Sequence, residues 1–199
     1  MTKIITFSKP KKTIIALLIA ITFVLIIIPT VTTKSVYSEG NNAPNFNLKT
    51  IGGGDNGKQI SLESFKGKPV ILWFMATWCP SCVGQAAAIK QITEEYGNKV
   101  NVVVIDLWSA QNIGQQQQQQ QQGAQGFNAE TESDLQSFVA KYGSPQWNAT
   151  FDTDGVSIKY GIMEVDSTVV VDGNGNVVLT HLGPSGYQPI KDALAKTII

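Results

Sequence analysis

The sequence lacks arginine altogether, and its 199 residues include only one histidine and two cysteines. Five of the 15 lysines precede Glu39, so the rest of the chain carries 10 lysines against 15 acidic residues, a net charge of −5. An acidic domain without arginine lacks the basic face that nucleic acid requires, which argues against a nucleic-acid partner. The single histidine, His181, excludes a multi-histidine metal site. Two cysteines three positions apart exclude a fold held together by several disulfides.

The amino-terminal region divides by composition into a tail, an apolar segment and a linker. Residues 1–12 are rich in lysine, residues 13–31 contain no charge, and residues 32–42 are small and polar. The 19 residues of the middle segment match the ~20 that a helix needs to cross a bilayer. Lysines before this segment predict a cytoplasmic tail and a single-pass plasma-membrane anchor. A cleaved secretory signal is the alternative, and either interpretation places the following domain outside the membrane.

Residues 43–199 have the pattern of one α/β domain, a three-layer α/β/α sandwich with a mixed central sheet. A continuous apolar run, Val70 to Met75, predicts a strand covered on both faces. A helix over 80–96 and a second buried strand over 100–105 complete a βαβ unit, which implies parallel pairing. The other predicted elements are a helix over 130–142, a hairpin of strands 167–171 and 177–182, and a final helix over 187–199.

A low-complexity stretch over 107–128 interrupts this pattern. It contains eight consecutive glutamines, Gln115 to Gln122, which cannot bury apolar area, so the stretch is predicted to be a mobile inserted loop. The carboxyl ends of parallel strands lie on one edge of a sheet. The loop and the cysteine motif each follow one of these strands, so we expect the loop to rise beside Cys79.

The cysteines occur in the motif Trp78-Cys79-Pro80-Ser81-Cys82, between a predicted strand and a predicted helix. At a helix amino terminus the unpaired N–H groups and the helix dipole stabilise a thiolate. Pro80 suits the first helical turn, where its missing N–H is not needed. The alternatives are a purely structural disulfide and half of a zinc site. The second cysteine pair that would complete a four-cysteine zinc site is missing from the sequence.

These cysteines stand in a longer series of motifs that resembles the TlpA/ResA-like thioredoxin family over about residues 43–196. The matching stretches are Ala43-Pro44-Asn45-Phe46-Asn47-Leu48, Ser61-Leu62, Lys66-Gly67-Lys68, Ala76-Thr77-Trp78-Cys79-Pro80-Ser81-Cys82, Tyr160-Gly161-Ile162, Thr168 to Asp172, Gly175 and His181-Leu182-Gly183. The resemblance implies a thioredoxin fold and thiol–disulfide exchange outside the membrane. It further implies that Cys79 is the attacking thiolate and Cys82 the resolving thiol, with Trp78, Pro80 and Ser81 as supporting residues of the motif.

Three positions depart from the family pattern. Asp166 stands where the family has a cis-proline facing the cysteines, Trp73 where thioredoxins have a buried acid, and Gln85 where TlpA-like proteins often have an acidic residue. Asp166 is a candidate for the missing proton acceptor, and its carboxylate would disfavour a thiolate and raise the pKa of the thiols. The alternative is an ordinary turn residue that caps a strand.

Several other residues carry weaker signals. His181 is expected to be a strand histidine rather than a metal ligand, and Trp78 a surface aromatic of the motif. Packing is the preferred role for Trp108 and Trp147. Asn148-Ala149-Thr150 is a glycosylation sequon, consistent with an external domain.

The sequence therefore predicts a membrane-anchored thiol–disulfide oxidoreductase whose Cys79 and Cys82 cycle between dithiol and disulfide, without a bound cofactor or metal. Its partners would be the cysteines of other proteins and a thiol protein that supplies or accepts electrons. A copper chaperone on the same fold is the first alternative, with Asp166 as the one hint of a third ligand. A thiol peroxidase is the second alternative, and the expected Thr-x-x-Cys environment is missing from the sequence.

Overall fold

The computed structural model describes residues 40–109 and 129–197. The predicted tail and anchor, most of the linker and most of the glutamine loop lie outside these ranges. Within them, no helix combines the length and the apolar character needed to cross a membrane.

The centre of the domain is a five-stranded mixed sheet with the order β5-β4-β3-β6-β7. Strands β3, β4 and β5 are parallel to one another, whereas β6 pairs antiparallel with both β3 and β7. A separate antiparallel hairpin is formed by β1 and β2. The strands are β1 (Asn47–Lys49), β2 (Gln59–Ser61), β3 (Val70–Met75), β4 (Asn101–Asp106), β5 (Asn148–Phe151), β6 (Ser167–Val171) and β7 (Val177–His181).

Four α-helices lie in the described residues, and three of them pack on one face of the sheet. They are α1 (Pro80–Tyr96), α2 (Glu132–Tyr142), α3 (Val156–Tyr160) and α4 (Tyr187–Ala195). Helices α1, α2 and α4 supply the apolar side chains of one core cluster. Helix α3 belongs to the other cluster, together with the β1–β2 hairpin and a short 3-10 helix over Leu62–Phe65.

Strand β3 occupies the middle of the sheet because all six of its side chains are apolar and all six are buried. Ile71, Trp73 and Met75 face the cluster of α1, α2 and α4, and the alternate residues face the other cluster. Burial of one such side chain contributes about 1.5–3 kcal/mol. This buried strand ends at Met75, three residues before Trp78 of the cysteine motif.

The predicted α/β domain with a mixed central sheet is confirmed. Helix α1 has the predicted bounds, and α2 begins two residues later than predicted. The final helix ends at Ala195, followed by the turn residues Lys196 and Thr197. The second outer layer is built from a hairpin and short helices, so the structure adds β1, β2, β5 and α3 to the predicted elements.

Candidate active site

The two cysteines lie at the point where β3 passes into α1. Cys79 is the N-cap residue of α1, and Pro80 occupies the first turn, where no backbone N–H is required. Cys79 and Cys82 form a disulfide with their Cα atoms 5.4 Å apart. The amino end of α1 therefore faces the sulfur of Cys79, and its dipole favours a thiolate there once the disulfide is reduced.

The two sulfurs differ in their access to solvent. Cys79 is 4% exposed, whereas Cys82 is completely buried. The hydroxyl of Ser81 lies 3.2 Å from the sulfur of Cys79 and is exposed, so it can donate a hydrogen bond to a Cys79 thiolate. Trp78 remains 37% exposed and packs edge-on against Trp108, with the ring centroids 5.1 Å apart. Cys79 is therefore the more accessible of the two cysteines.

Asp166 is buried beside the disulfide. Its φ of 63° makes it the one non-glycine residue with positive φ in the described ranges. Aspartate tolerates this region better than most residues do. A carboxylate oxygen of Asp166 lies within 4.8 Å of both cysteine sulfurs. Its Oδ1 accepts a hydrogen bond of 3.1 Å from Trp73 Nε1, and no polar partner of its Oδ2 occurs within the described ranges.

The other two departures from the family pattern have distinct structural roles. Trp73, in the place of a buried acid, donates the hydrogen bond that orients Asp166. Gln85 is buried and joins α1 to the segment before α4: its amide N–H donates to Ser185 Oγ (3.0 Å), and its amide oxygen accepts from the N–H of Gly186 (2.8 Å). Gln85 therefore fixes the contact between α1 and the segment that leads into α4.

Glu130 is a further residue of the site, and the sequence analysis did not identify it. Its buried carboxylate accepts hydrogen bonds from the backbone N–H of Thr77 with both oxygens, at 2.8 and 2.9 Å. One oxygen also accepts from the N–H of Trp78 at 3.2 Å. Glu130 thus holds the turn that presents Cys79. The sequence feature that could have identified Glu130 is its position as the first acidic residue after the glutamine tract.

A second buried acid lies beside Glu130. Asp106 is the last residue of β4 and aligns with Met75 at the end of β3. Its Oδ1 accepts a hydrogen bond of 2.7 Å from the N–H of Trp108. Burial, and then the neighbouring Glu130 carboxylate, raise the pKa of Asp106 to about 9. Asp106 consequently retains its proton at neutral pH.

Both ends of the predicted glutamine insertion meet next to this acid pair. Ser109 and Glu130 form a parallel β-bridge, and the N–H of Glu130 donates to the carbonyl of Trp108 at 2.9 Å. The residues on either side of 110–128 therefore contact the turn before Cys79. The tract itself lies outside the described residues.

The residues with weaker signals in the sequence, His181, Trp147 and Asn148, make structural contacts within the domain. The Nδ1 of His181 lies 3.2 Å from the carbonyl oxygen of Gly183 at the end of β7. Trp147 is fully buried, as its packing role predicts. Asn148 is only 6% exposed on β5, and its side-chain oxygen accepts from the N–H of Asp55 at 3.2 Å. The asparagine of the sequon therefore lies inside the fold, where it offers no accessible acceptor for a glycan.

Residues 38–197 match the family model described as Redoxin. The thioredoxin-like protein YneN of Bacillus subtilis (strain 168) is 29% identical over 156 residues, or 78% of each chain. The thiol-disulfide oxidoreductase ResA of the same organism is 27% identical over 161 residues, which is 80% of this chain and 75% of ResA.

A solved structure of similar shape is that of a thioredoxin-like protein from Aeropyrum pernix. It superimposes with a TM-score of 0.66 at 31% identity, and the match covers 76% of this chain and 89% of that one. The similarity in fold therefore extends over most of this chain.

Proposed function

The chain belongs to the Redoxin family, and from this premise we propose that its Cys79–Cys82 pair exchanges electrons with protein cysteines outside the plasma membrane. The matches to YneN and ResA confirm the predicted family resemblance and the enzyme class, thiol–disulfide oxidoreductase. The observation that carries the proposal is the disulfide at the amino end of α1, in which Cys79 is 4% exposed and Cys82 is fully buried.

The reaction follows from this difference in access. With the pair reduced, the Cys79 thiolate attacks one sulfur of a partner disulfide, and the other partner sulfur leaves as a thiolate that takes up a proton. Cys82 then attacks the Cys79 sulfur of the mixed disulfide, which releases the second partner thiol and forms the Cys79–Cys82 bond. Two electrons pass to the partner, and the reverse sequence oxidises it.

Exposed apolar side chains around the motif support proteins as substrates. Trp78 and Val83, which flank the two cysteines in the chain, are each 37% exposed, and Met163, three residues before Asp166, is 81% exposed. Exposed apolar surface at a reactive site favours contact with another protein. A partner with its cysteine in an extended segment would bury these side chains as the mixed disulfide forms.

The proposed location rests on the amino-terminal sequence. Residues 13–31 carry no charge and follow four lysines, so they fit an anchor with a cytoplasmic amino terminus. The disulfide-forming domain would then lie in a compartment where disulfides persist. Protease added outside intact cells stripped of their wall should degrade the domain. A domain protected until the membrane is lysed would contradict this location.

The exchange chemistry is tested with the purified full-length chain. Equilibration with defined ratios of reduced to oxidised glutathione, followed by thiol alkylation and mass spectrometry, gives the reduction potential of the Cys79–Cys82 pair. We expect one reversible two-electron transition. A pair that stays oxidised at every ratio would support the purely structural disulfide instead.

A further inference from the structure

Three residues with metal-ligating atoms lie close together at the cysteine site. The sulfurs of Cys79 and Cys82 and a carboxylate oxygen of Asp166 all lie within 4.8 Å of one another, and all three residues are buried. Disulfide sulfurs are poor ligands, but reduction converts them to thiols that lose their protons to a bound metal. The cluster can therefore act as a metal site only in the dithiol state.

The carboxylate of Asp166 provides the second, independent indication of a ligand. Asp166 is 1% exposed, and Trp73 Nε1 satisfies its Oδ1 only. Its Oδ2 is buried without a polar partner in the described residues, and none of the ion pairs found there includes Asp166. Burial of a carboxylate without a cation is energetically unfavourable. A cation between Oδ2 and the sulfurs would compensate this cost.

We propose that the reduced protein binds one divalent cation of the zinc type through Cys79, Cys82 and Asp166. Zinc accepts sulfur and oxygen ligands together, with Zn–S distances near ~2.3 Å and Zn–O near ~2.0–2.2 Å in a tetrahedral site. Three protein ligands leave the fourth position for water or for the thiolate of a partner. Trp73, which holds Oδ1, would orient the ligating carboxylate, as hydrogen-bond donors to metal ligands commonly do.

Charge and ligand type favour a divalent ion over the copper(I) of the chaperone alternative. Two thiolates and a carboxylate carry three negative charges. A divalent ion would reduce the net charge of this buried site to −1, whereas a monovalent ion would reduce it only to −2. Copper(I) also prefers soft sulfur and gains little from a carboxylate. Binding of a divalent ion releases the two thiol protons and transfers no electrons. It would therefore hold the pair in its reduced form.

The proposal shares the cysteine pair with the proposed exchange reaction, but it does not depend on the direction of that reaction. The test is a zinc titration of the reduced full-length chain, freed of reductant, in competition with a chromophoric chelator. The key variant is Asp166→Asn, because asparagine tolerates positive φ and its amide oxygen can still accept from Trp73. Asp192→Asn, an exposed aspartate of α4, is the matched control.

We expect one zinc per chain and unchanged affinity in Asp192→Asn. Affinity should fall by at least ~10-fold in Asp166→Asn, the smallest loss usual even for residues that only support a metal ligand. Equal affinity in the wild type and Asp166→Asn would overturn the proposal, as would the absence of stoichiometric binding to the wild type.

A measurement on the wild type alone keeps the test valid if Asp166→Asn fails to fold. Stoichiometric zinc should slow alkylation of both Cys79 and Cys82, and cobalt(II) should give thiolate-to-metal charge-transfer bands. Unprotected thiols and a spectrum without these bands would refute the proposal. Glutathione exchange measured without metal separates the two hypotheses, since exchange that persists without zinc binding would refute only the metal site.

Discussion

Both carboxylate oxygens of Glu130 accept a hydrogen bond from the backbone N–H of Thr77, two residues before Cys79. The two residues are 53 positions apart in the chain. Between them lie helix α1, strand β4 and the glutamine tract. A buried acid that follows the insertion thus fixes the turn that precedes Cys79.

Replacing Glu130 with glutamine should destabilise this turn. Hydrogen bonds to a charged group contribute roughly 1.5–3 kcal/mol, so the free energy of unfolding in urea at neutral pH should fall by about that amount. Exchange with oxidised glutathione should slow as well, because Cys79 is presented less precisely. Glu132→Gln, two residues away and exposed, is the control, and its loss should not exceed the ~0.3–1 kcal/mol of a helix-terminal charge. Equal losses in both variants would refute the positioning role of Glu130.

Asp106 should make stability depend on pH. Its pKa is about 9 in the folded state and 3.8 in its ordinary state, because burial and Glu130 favour the protonated acid. The folded state therefore retains a proton that the unfolded state loses. The stabilisation that comes from this proton is complete below about pH 4, falls as pH rises, and is lost by about pH 9. Over this range the free energy of unfolding should decrease by at most about 1.4 kcal/mol per pH unit.

The variant Asp106→Asn tests whether Asp106 makes the folded state less stable as pH rises. Its amide oxygen can still accept from the N–H of Trp108, and its amide group replaces the protonated acid. Urea unfolding at pH 5 and at pH 8.5 should show the variant gaining stability relative to the wild type as pH rises. A constant difference between the two proteins across this range would contradict the raised pKa.

The two cysteines should behave differently when each is replaced with serine. Cys79→Ser should reduce exchange with oxidised glutathione to the uncatalysed rate, since it removes the accessible sulfur. Cys82→Ser should accumulate mixed disulfides with partner proteins, because the thiol that resolves them is missing. Non-reducing gels followed by mass spectrometry distinguish the two outcomes. If mixed disulfides accumulated in Cys79→Ser and not in Cys82→Ser, the roles of attacking and resolving thiol would be the reverse of those proposed.

Deletion of residues 114–123 should leave the redox centre intact. The bridge between Ser109 and Glu130 closes the base of the insertion without these residues. The reduction potential should therefore change by less than about 30 mV, which corresponds to a tenfold change in the equilibrium constant. Rates with protein partners should change, because Trp108 and Glu130, on either side of residues 110–128, contact the turn before Cys79. A larger shift in potential would show that the tract itself packs on the disulfide.

Asn148 should remain unmodified in a glycosylating host. It lies within β5, where its neighbour Ala149 pairs with Val104 of β4, and its side chain is buried. A glycan requires an accessible asparagine, and the folded domain does not offer one here. The intact mass of the secreted chain is the measurement. A glycosylated product would show that modification precedes formation of the sheet.

The elements that the sequence predicts well are those with a strong local pattern. Strand β3 is an uninterrupted apolar run, and α1 begins at a proline and continues through an apolar stripe. Strands β1 and β2 have three residues each, too few to show a period, and they exist because they pair with each other. Helix α3 has five residues, and its first turn is held by the carboxylate of Asp152, which accepts from the N–H groups of Val156 and Ser157.

The sequence by itself determined the chemistry of this protein, because two cysteines separated by Pro80 and Ser81 at a helix start form a local motif. Only the tertiary structure decided which other side chains share that site. Asp166 approaches the sulfurs through the antiparallel pairing of β6 with β3, and Asp106 reaches Glu130 because the chain returns to the edge of the sheet after the insertion. These contacts join residues that are distant in the chain, so no local pattern encodes them. They arise from the register of the strands and from the need to satisfy polar groups in a buried space.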